Sequence, residues 1–515
     1  MALATTVSLD GERLTIADVW TVAVERAPVE LSEAARRKMR AARKLVERVA
    51  SESSGEHTYG INTGFGRFVE RTIPPELSGE LQLRLLRSHA CGVGDPYPDE
   101  VVRGAMLLRA NALAKGYSGA RVETVELLVD CLNRGVLPLV PSRGSVGASG
   151  DLAPLAHLAL PLVGEGHARV NGELLPGAAA LGQVGLEPVA LQAKEGLSLI
   201  NGTQFMSAIG SLALVRARHL VKSADIACAL SVEALQGSRA SFAPTIHALR
   251  PLPGQAASAW NLTRLLEGSA IIEAHRWCDK VQDAYSLRCA PQVHGASRDL
   301  LDYVERTVGV ELNAATDNPL VLVDEGKLVS NGNFHGQPLA FALDAFAMAV
   351  AELASISERR VERLTNPSLS DGLPAFLTPD GGLNSGFMIP QYVAASLVSE
   401  NKALAHPASV DSIPTSAGQE DHVSMGNAAG LKAWQVLANV ERALAIELLA
   451  SAQAVEFLAP LEPGAGGRAT HKFVRSVSGP LVEDRSLNPD IERVAETIRS
   501  GELVAAVEDD VGELR

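Results

Sequence analysis

One apolar stretch constrains the fold of this chain more than any other feature of its sequence. Residues 339–356 read LAFALDAFAMAVAELASI, and only Asp344 and Glu352 among them are charged. A helix that is apolar around most of its circumference has to be buried on most sides. The sequence therefore predicts a helix at the centre of a helical bundle or of a subunit interface.

Helical spacing of apolar residues also dominates the rest of the chain. Ser32 can cap a helix over residues 33–50, and the helical pattern from Val101 to Asn133 is interrupted around Gly116 and Gly119. Further long helices are expected over Phe205–Leu235, Leu262–Leu287, Pro338–Leu364, Phe387–Leu404 and Leu431–Leu458. Several of these exceed roughly 25 residues, which is about 40 Å of helix.

Strand signals are few by comparison. Asn171-Gly172 predicts a small hairpin, and the residues around Gly326 predict a short extended pair. We therefore expect an all-α, mainly helical fold, in which a long-helix bundle follows a smaller, irregular N-terminal part. The expected boundary separates an N-terminal domain over residues 1–200, which includes the stretch GSVGASGDL, from a long-helix domain over residues 201–515.

Composition and charge exclude several classes of protein. The chain has 515 residues, of which 46% are hydrophobic and 21% charged, as in an ordinary soluble globular protein. A formal charge of −14 argues against nucleic-acid or anionic-membrane partners, which select clustered Lys and Arg. The N-terminus lacks a basic segment followed by an apolar core, and the longest apolar runs are interrupted before the ~20 residues of a membrane span. We expect a cytoplasmic protein.

The cysteines and histidines predict neither a disulfide framework nor a metal site. The five cysteines are odd in number and widely spaced, and they contain no C-x-x-C pair: Cys91, Cys131, Cys228, Cys278 and Cys289. We expect reduced, mostly buried thiols. The spacing of His335, Asp421 and His422 resembles no standard set of metal ligands, so no metal is expected.

The stretch GSVGASGDL, at residues 144–152, is open to two interpretations. It lacks the Lys-Ser/Thr pair of a phosphate-binding loop, the G-x-S-x-G of a hydrolase elbow and the spacing of a dinucleotide fingerprint. It can be the glycine-rich start of a helix, with Asp151 where the helix dipole favours an anion. Alternatively, the unhindered Gly150 nitrogen attacks the Ala148 carbonyl and closes a five-membered ring. Loss of the Ser149 hydroxyl as water would then leave an electrophilic alkene.

Residues 144–156, GSVGASGDLAPLA, resemble the signature of the aromatic amino acid ammonia-lyases. In that family the Ala-Ser-Gly triplet cyclises to a 4-methylidene-imidazol-5-one group. Other stretches match the family in the same order along nearly the entire chain: YGINTGFG (59–66), RSHACGVG (87–94), NGTQ (201–204), QDAYSLRCAPQVHG (282–295), TDNP (316–319), GNFHG (332–336) and QEDHVSMG (419–426). A consistent order over so many motifs is very hard to obtain by chance.

The resemblance implies a set of site residues. The implied catalytic residues are Tyr59, Ala148, Ser149, Gly150, Asn201, Tyr285 and Glu420, and the implied substrate-binding residues are His89, Gln282, Arg288 and Phe334. Tyr59 would remove the substrate β-proton, which requires that positive charge or hydrogen bonds lower its pKa from about 10. Arg288 would bind the α-carboxylate through its planar guanidinium. Gln282, Tyr285 and Arg288 are three apart and are expected to share one helix face.

Each of these residues also has a plain structural interpretation. Judged by residue type alone, the Tyr59 ring could pack inside a glycine-rich loop, Asn201 could cap a helix and Phe334 could belong to the core. Gln337 and His294 depart from the pattern of many bacterial members of the family.

His89 and Glu420 indicate the substrate. Histidine-specific members of the family resemble this chain at both positions, whereas phenylalanine-specific members carry other side chains there. A phenyl ring would leave both polar groups unpaired, and a site built for hydrogen bonds can reject such an analogue about 10⁴-fold. The implied reaction is elimination of ammonia from L-histidine to give trans-urocanate, by a homotetramer whose active sites are shared between subunits. A tyrosine or phenylalanine lyase, an aminomutase and a non-catalytic helical scaffold stay open as alternatives.

Overall fold

A computed structural model describes residues 6–51, 58–64, 66–277 and 280–515, so Cys278 lies outside the described residues. The fold is mainly helical, as the sequence predicts. The α-helices are α1 Ile16–Ala23, α2 Glu33–Ser51, α3 Ser78–His89, α4 Asp99–Ala114, α5 Val122–Asn133, α6 Leu152–Ala159, α7 Gly177–Gln183, α8 Glu195–Ile200, α9 Gln204–Ala234, α10 Pro244–Ala248, α11 Pro253–Leu265, α12 Ala270–Ala274, α13 Tyr285–Arg288, α14 Ala290–Glu311, α15 Gln337–Thr365, α16 Met388–Leu404, α17 Gly426–Glu456, α18 Ala465–Val477, α19 Asn488–Ser500 and α20 Glu502–Val511.

The strands are short and form small sheets. They are β1 Val7–Leu9, β2 Val29–Leu31, β3 Val93–Pro96, β4 Leu137–Pro138, β5 Pro141–Arg143, β6 His167–Val170, β7 Glu173–Pro176, β8 Leu320–Leu322 and β9 Lys327–Val329. β1 pairs in parallel with β2, whereas the pairs β3-β5, β4-β6, β6-β7 and β8-β9 are antiparallel. The β6-β7 hairpin at Asn171-Gly172 and the β8-β9 pair at Gly326 confirm the predicted extended segments.

The chain divides into two compact units. Unit 1 comprises Met1–Leu212, Val304–Asp344 and Pro407–Leu431, and unit 2 comprises Ala213–Tyr303, Ala345–His406 and Lys432–Arg515. The domain boundary near residue 200 that the sequence suggests stays a prediction.

Most of the predicted helices are confirmed, and one is wrong. Ser32 accepts a hydrogen bond from the Ala35 N–H at 3.1 Å and so caps α2. The helix expected over Leu262–Leu287 is instead broken into α11, α12 and α13. The break between α11 and α12 follows from Gly268, whose φ of +74° is left-handed, and from Ser269, which starts α12 by accepting from the Ile272 N–H at 3.2 Å.

The apolar stretch of residues 339–356 lies within α15. Among the described residues, α15 alone is long and apolar enough to cross a membrane by length and composition, but 72% of its most apolar window is buried inside the protein. Burial of this kind is typical of the core helix of a soluble protein. The apolar side chains of Leu343, Phe346 and Val350 are fully buried, in agreement with the prediction.

Helices α3, α4, α6 and α8 of unit 1 determine where the site lies. Helix α4, buried from Val101 to Ala114, packs against α1 and α5 and forms the centre of this unit. Helices α3, α6 and α8 pack against one another. The end of α3, the start of α6 and the end of α8 carry His89, the loop of residues 144–151 and Asn201, respectively. Motifs far apart in the sequence are thereby brought together.

Candidate active site

Cavities surround Ser149 at this meeting of helix ends. One cavity of about 970 Å³ is lined by Tyr59, His89, Ser149, Asn201 and Glu420, among others. A second of about 330 Å³ shares Tyr59, Ser149 and Glu420, and adds Ala148 and Phe334. A third of about 270 Å³ reaches Gly150. Eight of the eleven predicted site residues therefore meet in unit 1, and each cavity is lined by unit 1 residues.

The Ala148-Ser149-Gly150 loop has a backbone that only glycine permits. Gly150 has a φ of +73°, and a Cβ at this position would lie 2.0 Å from the carbonyl oxygen of Gly202. Gly147, at φ +68°, leaves room for Ser424, whose Oγ would lie 2.1 Å from a Cβ there. The Gly150 nitrogen is thus carried by a residue without a side chain in a tightly enclosed turn. This geometry fits closure of a five-membered ring on Ala148.

Asp151 lies at the start of α6, as expected, but its side chain binds the start of a different helix. It precedes α6, but its side chain makes no capping hydrogen bond there. Its Oδ2 instead accepts from the backbone N–H groups of Phe205 and Met206, at 2.9 and 3.1 Å, in the first turn of α9. The positive end of a helix stabilises an anion, but complete burial raises the pKa of Asp151 to about 7. Asp151 therefore serves the predicted role of an acid at a helix start, on α9.

Tyr59 lies in a less favourable electrostatic setting than a base requires. Burial raises the pKa of its phenol, and the carboxylates of Glu420 and Asp317 raise it further, whereas a hydrogen bond from the backbone of Gly66 lowers it. The groups that act on Tyr59 in unit 1 thus favour the neutral phenol on balance. The lowered pKa that we expected from the sequence is not provided by these neighbours.

Hydrogen bonding favours one tautomer of His89, which lines the cavity. Its Nδ1 lies 2.9 Å from the carbonyl oxygen of Leu85, which can only accept a hydrogen bond. Burial lowers the pKa of the imidazole, so the neutral ring is favoured. A neutral ring with its proton on Nδ1 leaves Nε2 as a hydrogen-bond acceptor.

Glu420 lies directly beside the central serine of the triplet. Its Oε1 accepts from the Ser149 hydroxyl at 3.3 Å, and its Oε2 accepts from the Thr415 hydroxyl at 2.7 Å. Glu420 lines each of the cavities around Ser149. The sequence motif indicated Glu420 but gave no signal for Thr415, which precedes the motif.

Asn201 has an unsatisfied amide oxygen beside the loop. Its Nδ2 donates to the carbonyl oxygen of Asn318 at 3.2 Å, whereas its buried Oδ1 has no partner among the described residues. Behind it, the fully buried Arg109 donates from Nη1 to the Asn201 carbonyl at 2.7 Å. Burial lowers the pKa of Arg109 to about 10, which still leaves it charged at neutral pH. An orphaned polar atom next to Gly202 and Gly150 fits a site that holds a further polar group.

The other predicted residues form a cluster in unit 2. Arg288 donates from Nη2 to the Oε1 of Gln282 at 2.9 Å, and its guanidinium carbon lies 4.6 Å from the centre of the Tyr285 ring. Gln282 precedes the short α13 and does not share a helix with the other two, because α13 begins at Tyr285. The three side chains nevertheless lie together, and Tyr285 is 71% exposed.

Comparisons with known proteins identify the family of the chain. Residues 14–477 match the sequence profile described as aromatic amino acid lyase. The histidine ammonia-lyase of Gloeobacter violaceus is 57% identical over 506 residues, which cover 98% of each chain. The crystal structure of histidine ammonia-lyase from Trypanosoma cruzi has a TM-score of 0.90 at 47% identity and covers 99% of this chain and 96% of that one. The crystal structure of a tyrosine aminomutase from Streptomyces globisporus has a TM-score of 0.93 at 38% identity, and the match covers 99% of this chain and 100% of that one. The chain belongs to the aromatic amino acid lyase family.

Proposed function

We propose that this chain eliminates ammonia from L-histidine to give trans-urocanate, and that it does so in the cytoplasm. The observation that carries the choice of substrate is the presence of His89 and Glu420 in one cavity with Ser149. The histidine ammonia-lyases at 57% and 56% identity, each matched over 98% of this chain, support the same reaction.

The prosthetic group forms from the chain itself. The Gly150 nitrogen adds to the Ala148 carbonyl carbon, and the carbonyl oxygen leaves as water with the amide protons of Gly150 and Ser149, so that a double bond forms between that carbon and the Ser149 nitrogen. Ser149 then loses its hydroxyl and its α-proton as a second water. Any side chain at position 150 would collide with Gly202, and Glu420 is within hydrogen-bond distance of the departing Ser149 hydroxyl. The matured 4-methylidene-imidazol-5-one supplies an electrophilic alkene, which activates the substrate for loss of its amine.

The side chains of unit 1 recognise the imidazole and move the proton. His89 Nε2 accepts a hydrogen bond from the imidazole N–H, and Glu420 pairs with the polar edge of the same ring. Tyr59 removes the β-proton, and Asn201 orients groups at the reacting centre through its free amide oxygen. Phe334 packs beside the prosthetic ring. Positioned hydrogen-bond donors stabilise the negative charge that develops during the reaction.

A second copy of the chain completes the site. Gln282, Tyr285 and Arg288 belong to unit 2, and the residues that line the cavities around Ser149 belong to unit 1. We assign the three to the active site of a neighbouring subunit in a homotetramer, where Arg288 binds the α-carboxylate as a bidentate partner. Its positive charge then also favours the phenolate of Tyr59. Such assembly covers the exposed ring of Tyr285.

The test combines substrate choice with intact mass. The purified chain is incubated separately with L-histidine, L-tyrosine and L-phenylalanine, and the absorbance of the conjugated product is followed. We expect activity on histidine and a mass two waters below that of the sequence, with the deficit absent in Ser149→Ala. Chromatography for β-amino acids covers the alternative suggested by the 38% identical tyrosine aminomutase. No product from histidine would refute the proposed function, and an undiminished mass in an active enzyme would refute the prosthetic group.

A further inference from the structure

The turn that carries Glu420 has a rare backbone. Ser416 and Ala417 have φ values of 51° and 53°, and Gly418 follows with 83°, so three consecutive residues are left-handed. Residues with a Cβ adopt this conformation at a cost, and they keep it only where the surrounding structure enforces it. Strain of this kind is concentrated at functional sites, which directs attention to the residues that enclose the turn.

Thr415 and Glu420 enclose it through three hydrogen bonds. The Thr415 N–H donates to the Glu420 carbonyl at 2.9 Å, and the Glu420 N–H donates to the Thr415 carbonyl at 3.3 Å. The third bond joins the side chains, since Thr415 Oγ1 donates to Glu420 Oε2 at 2.7 Å. The other carboxylate oxygen, Oε1, is the one that accepts from the Ser149 hydroxyl. Thr415 therefore holds Oε2 of Glu420, while Oε1 lies beside Ser149.

The turn also touches the segment that holds Tyr59. A Cβ on Gly66 would lie 2.6 Å from the hydroxyl oxygen of Ser416, so the two residues are in close contact. The backbone of Gly66 hydrogen-bonds the Tyr59 phenol. The same turn thus places the carboxylate at one end and supports the surroundings of the tyrosine at the other.

We propose that Thr415 is a positioning residue whose hydroxyl fixes the orientation of the Glu420 carboxylate toward the substrate. The inference rests on the proposed function. The terminal torsion of a glutamate is broad, so without a partner the carboxylate would sample many orientations. Threonine has few χ1 rotamers because it is branched at Cβ. The backbone N–H and carbonyl of Thr415 are also both hydrogen-bonded to the backbone of Glu420. The donor is therefore itself fixed, and the acceptor presented to the imidazole is preorganised.

The test removes the donor while it preserves the shape. Thr415→Val keeps the Cβ branch and lacks the hydroxyl, whereas Thr415→Ser keeps the hydroxyl. We expect kcat/KM for L-histidine to fall about 10- to 100-fold in Thr415→Val, as for loss of a hydrogen bond to a charged group, and Thr415→Ser to restore most of it. Thr497→Val is the control, because Thr497 is buried and its hydroxyl donates to the helix carbonyl of Val494, far from the site in the sequence. Melting temperature and the two-water mass deficit report folding and maturation.

A double-mutant cycle separates positioning from a general structural role. In a Glu420→Gln background, Thr415→Val should cost less than about threefold further, since the carboxylate that it orients is gone. The inference would be overturned if the losses of kcat/KM in the two single variants multiplied in the double variant. It would also be overturned if Thr415→Val were as active as the wild type. If Thr415→Val fails to mature, Thr415→Ala takes its place in the same cycle with the same expected result. A wild-type chain inactive on histidine would overturn the proposed function instead, so the two failures are distinguishable.

Discussion

Gly150 packs directly against the backbone of Gly202. A Cβ on Gly150 would lie 2.0 Å from the carbonyl oxygen of Gly202, and the N–H of Asp151 donates to that same oxygen at 2.6 Å. Gly202 is confined from its other side as well. A Cβ there would lie 2.6 Å from Nη1 of the buried Arg109 and 2.8 Å from the carbonyl oxygen of Thr316. Gly202, against which the proposed ring-forming loop packs, is thus enclosed on one side by Gly150 and on the other by Arg109 and Thr316.

We therefore expect Gly202→Ala to block ring formation. The added methyl group displaces either the Asn201-Gly202 segment or Gly150, so the two-water mass deficit and the histidine activity should both be lost. Gly172→Ala is the matched control, because Gly172 also has a positive φ, of 86°, but has open space around it. That variant should lose only about 1–2 kcal/mol of stability from its left-handed backbone and should keep its mass deficit. A mature Gly202→Ala protein would contradict the expectation.

Replacement of Tyr59 separates the proton transfer from maturation. Tyr59→Phe removes the phenol, and we expect kcat to fall about 10²- to 10⁴-fold, as for loss of a general base, while the mass deficit persists. Because the negative charge of Glu420 contributes to the raised pKa of Tyr59, Glu420→Gln should lower that pKa. The rise of kcat with pH should then move toward lower pH in Glu420→Gln. A profile that stays in place or moves upward would show that a different group titrates.

Asp151 makes the stability of the folded chain depend on pH. Burial raises its pKa to about 7 from the ordinary 3.8, so the folded state binds this proton more tightly than the unfolded state does. The resulting stabilisation is complete below pH 3.8 and is lost as the pH rises toward 7. Asp151→Asn keeps an acceptor for the N–H groups of Phe205 and Met206 but does not titrate.

In Asp151→Asn we therefore expect the melting temperature to fall less than in the wild type between pH 4 and pH 7. Calorimetry at a series of pH values measures this difference. Parallel curves for the two proteins would mean that Asp151 is ionised throughout, stabilised by the α9 terminus more than it is penalised by burial.

Most of the candidate site could be predicted from the sequence because its chemistry is local. The ring needs Ala148, Ser149 and Gly150 next to one another, and short motifs mark Tyr59 and Asn201. What it could not identify depends on which helix end lies near which side chain. Asp151 lies at the start of its own helix as expected, but its side chain bonds to α9, because the packing of the loop against Gly202 brings the start of α9 close to it. Thr415 gave no signal either, since its importance arises from a turn that folds it back onto Glu420.

A buried ion pair in unit 2 supports the cluster proposed to reach a neighbouring active site. Arg360 of α15 and Glu447 of α17 are both fully buried, and Arg360 Nη2 donates to Glu447 Oε2 at 2.9 Å. Arg360 also donates from Nη1 to the carbonyl oxygen of Ser286 at 3.2 Å. Ser286 lies in α13 between Tyr285 and Arg288, so the ion pair tethers the helix that carries both.

We expect Arg360→Met to destabilise the chain by about 3–5 kcal/mol, because it leaves Glu447 buried without a counter-charge. Adding Glu447→Leu should recover most of that loss, since an apolar pair can replace a buried ion pair at little cost. Both variants also lack the hydrogen bond from Arg360 to the Ser286 carbonyl. We therefore expect KM for L-histidine to be raised in Arg360→Met and to stay raised in the double variant, even when its melting temperature returns to the wild-type value. A double variant with both its stability and its KM restored would show that Arg360 serves the fold alone and leaves α13 independent of it.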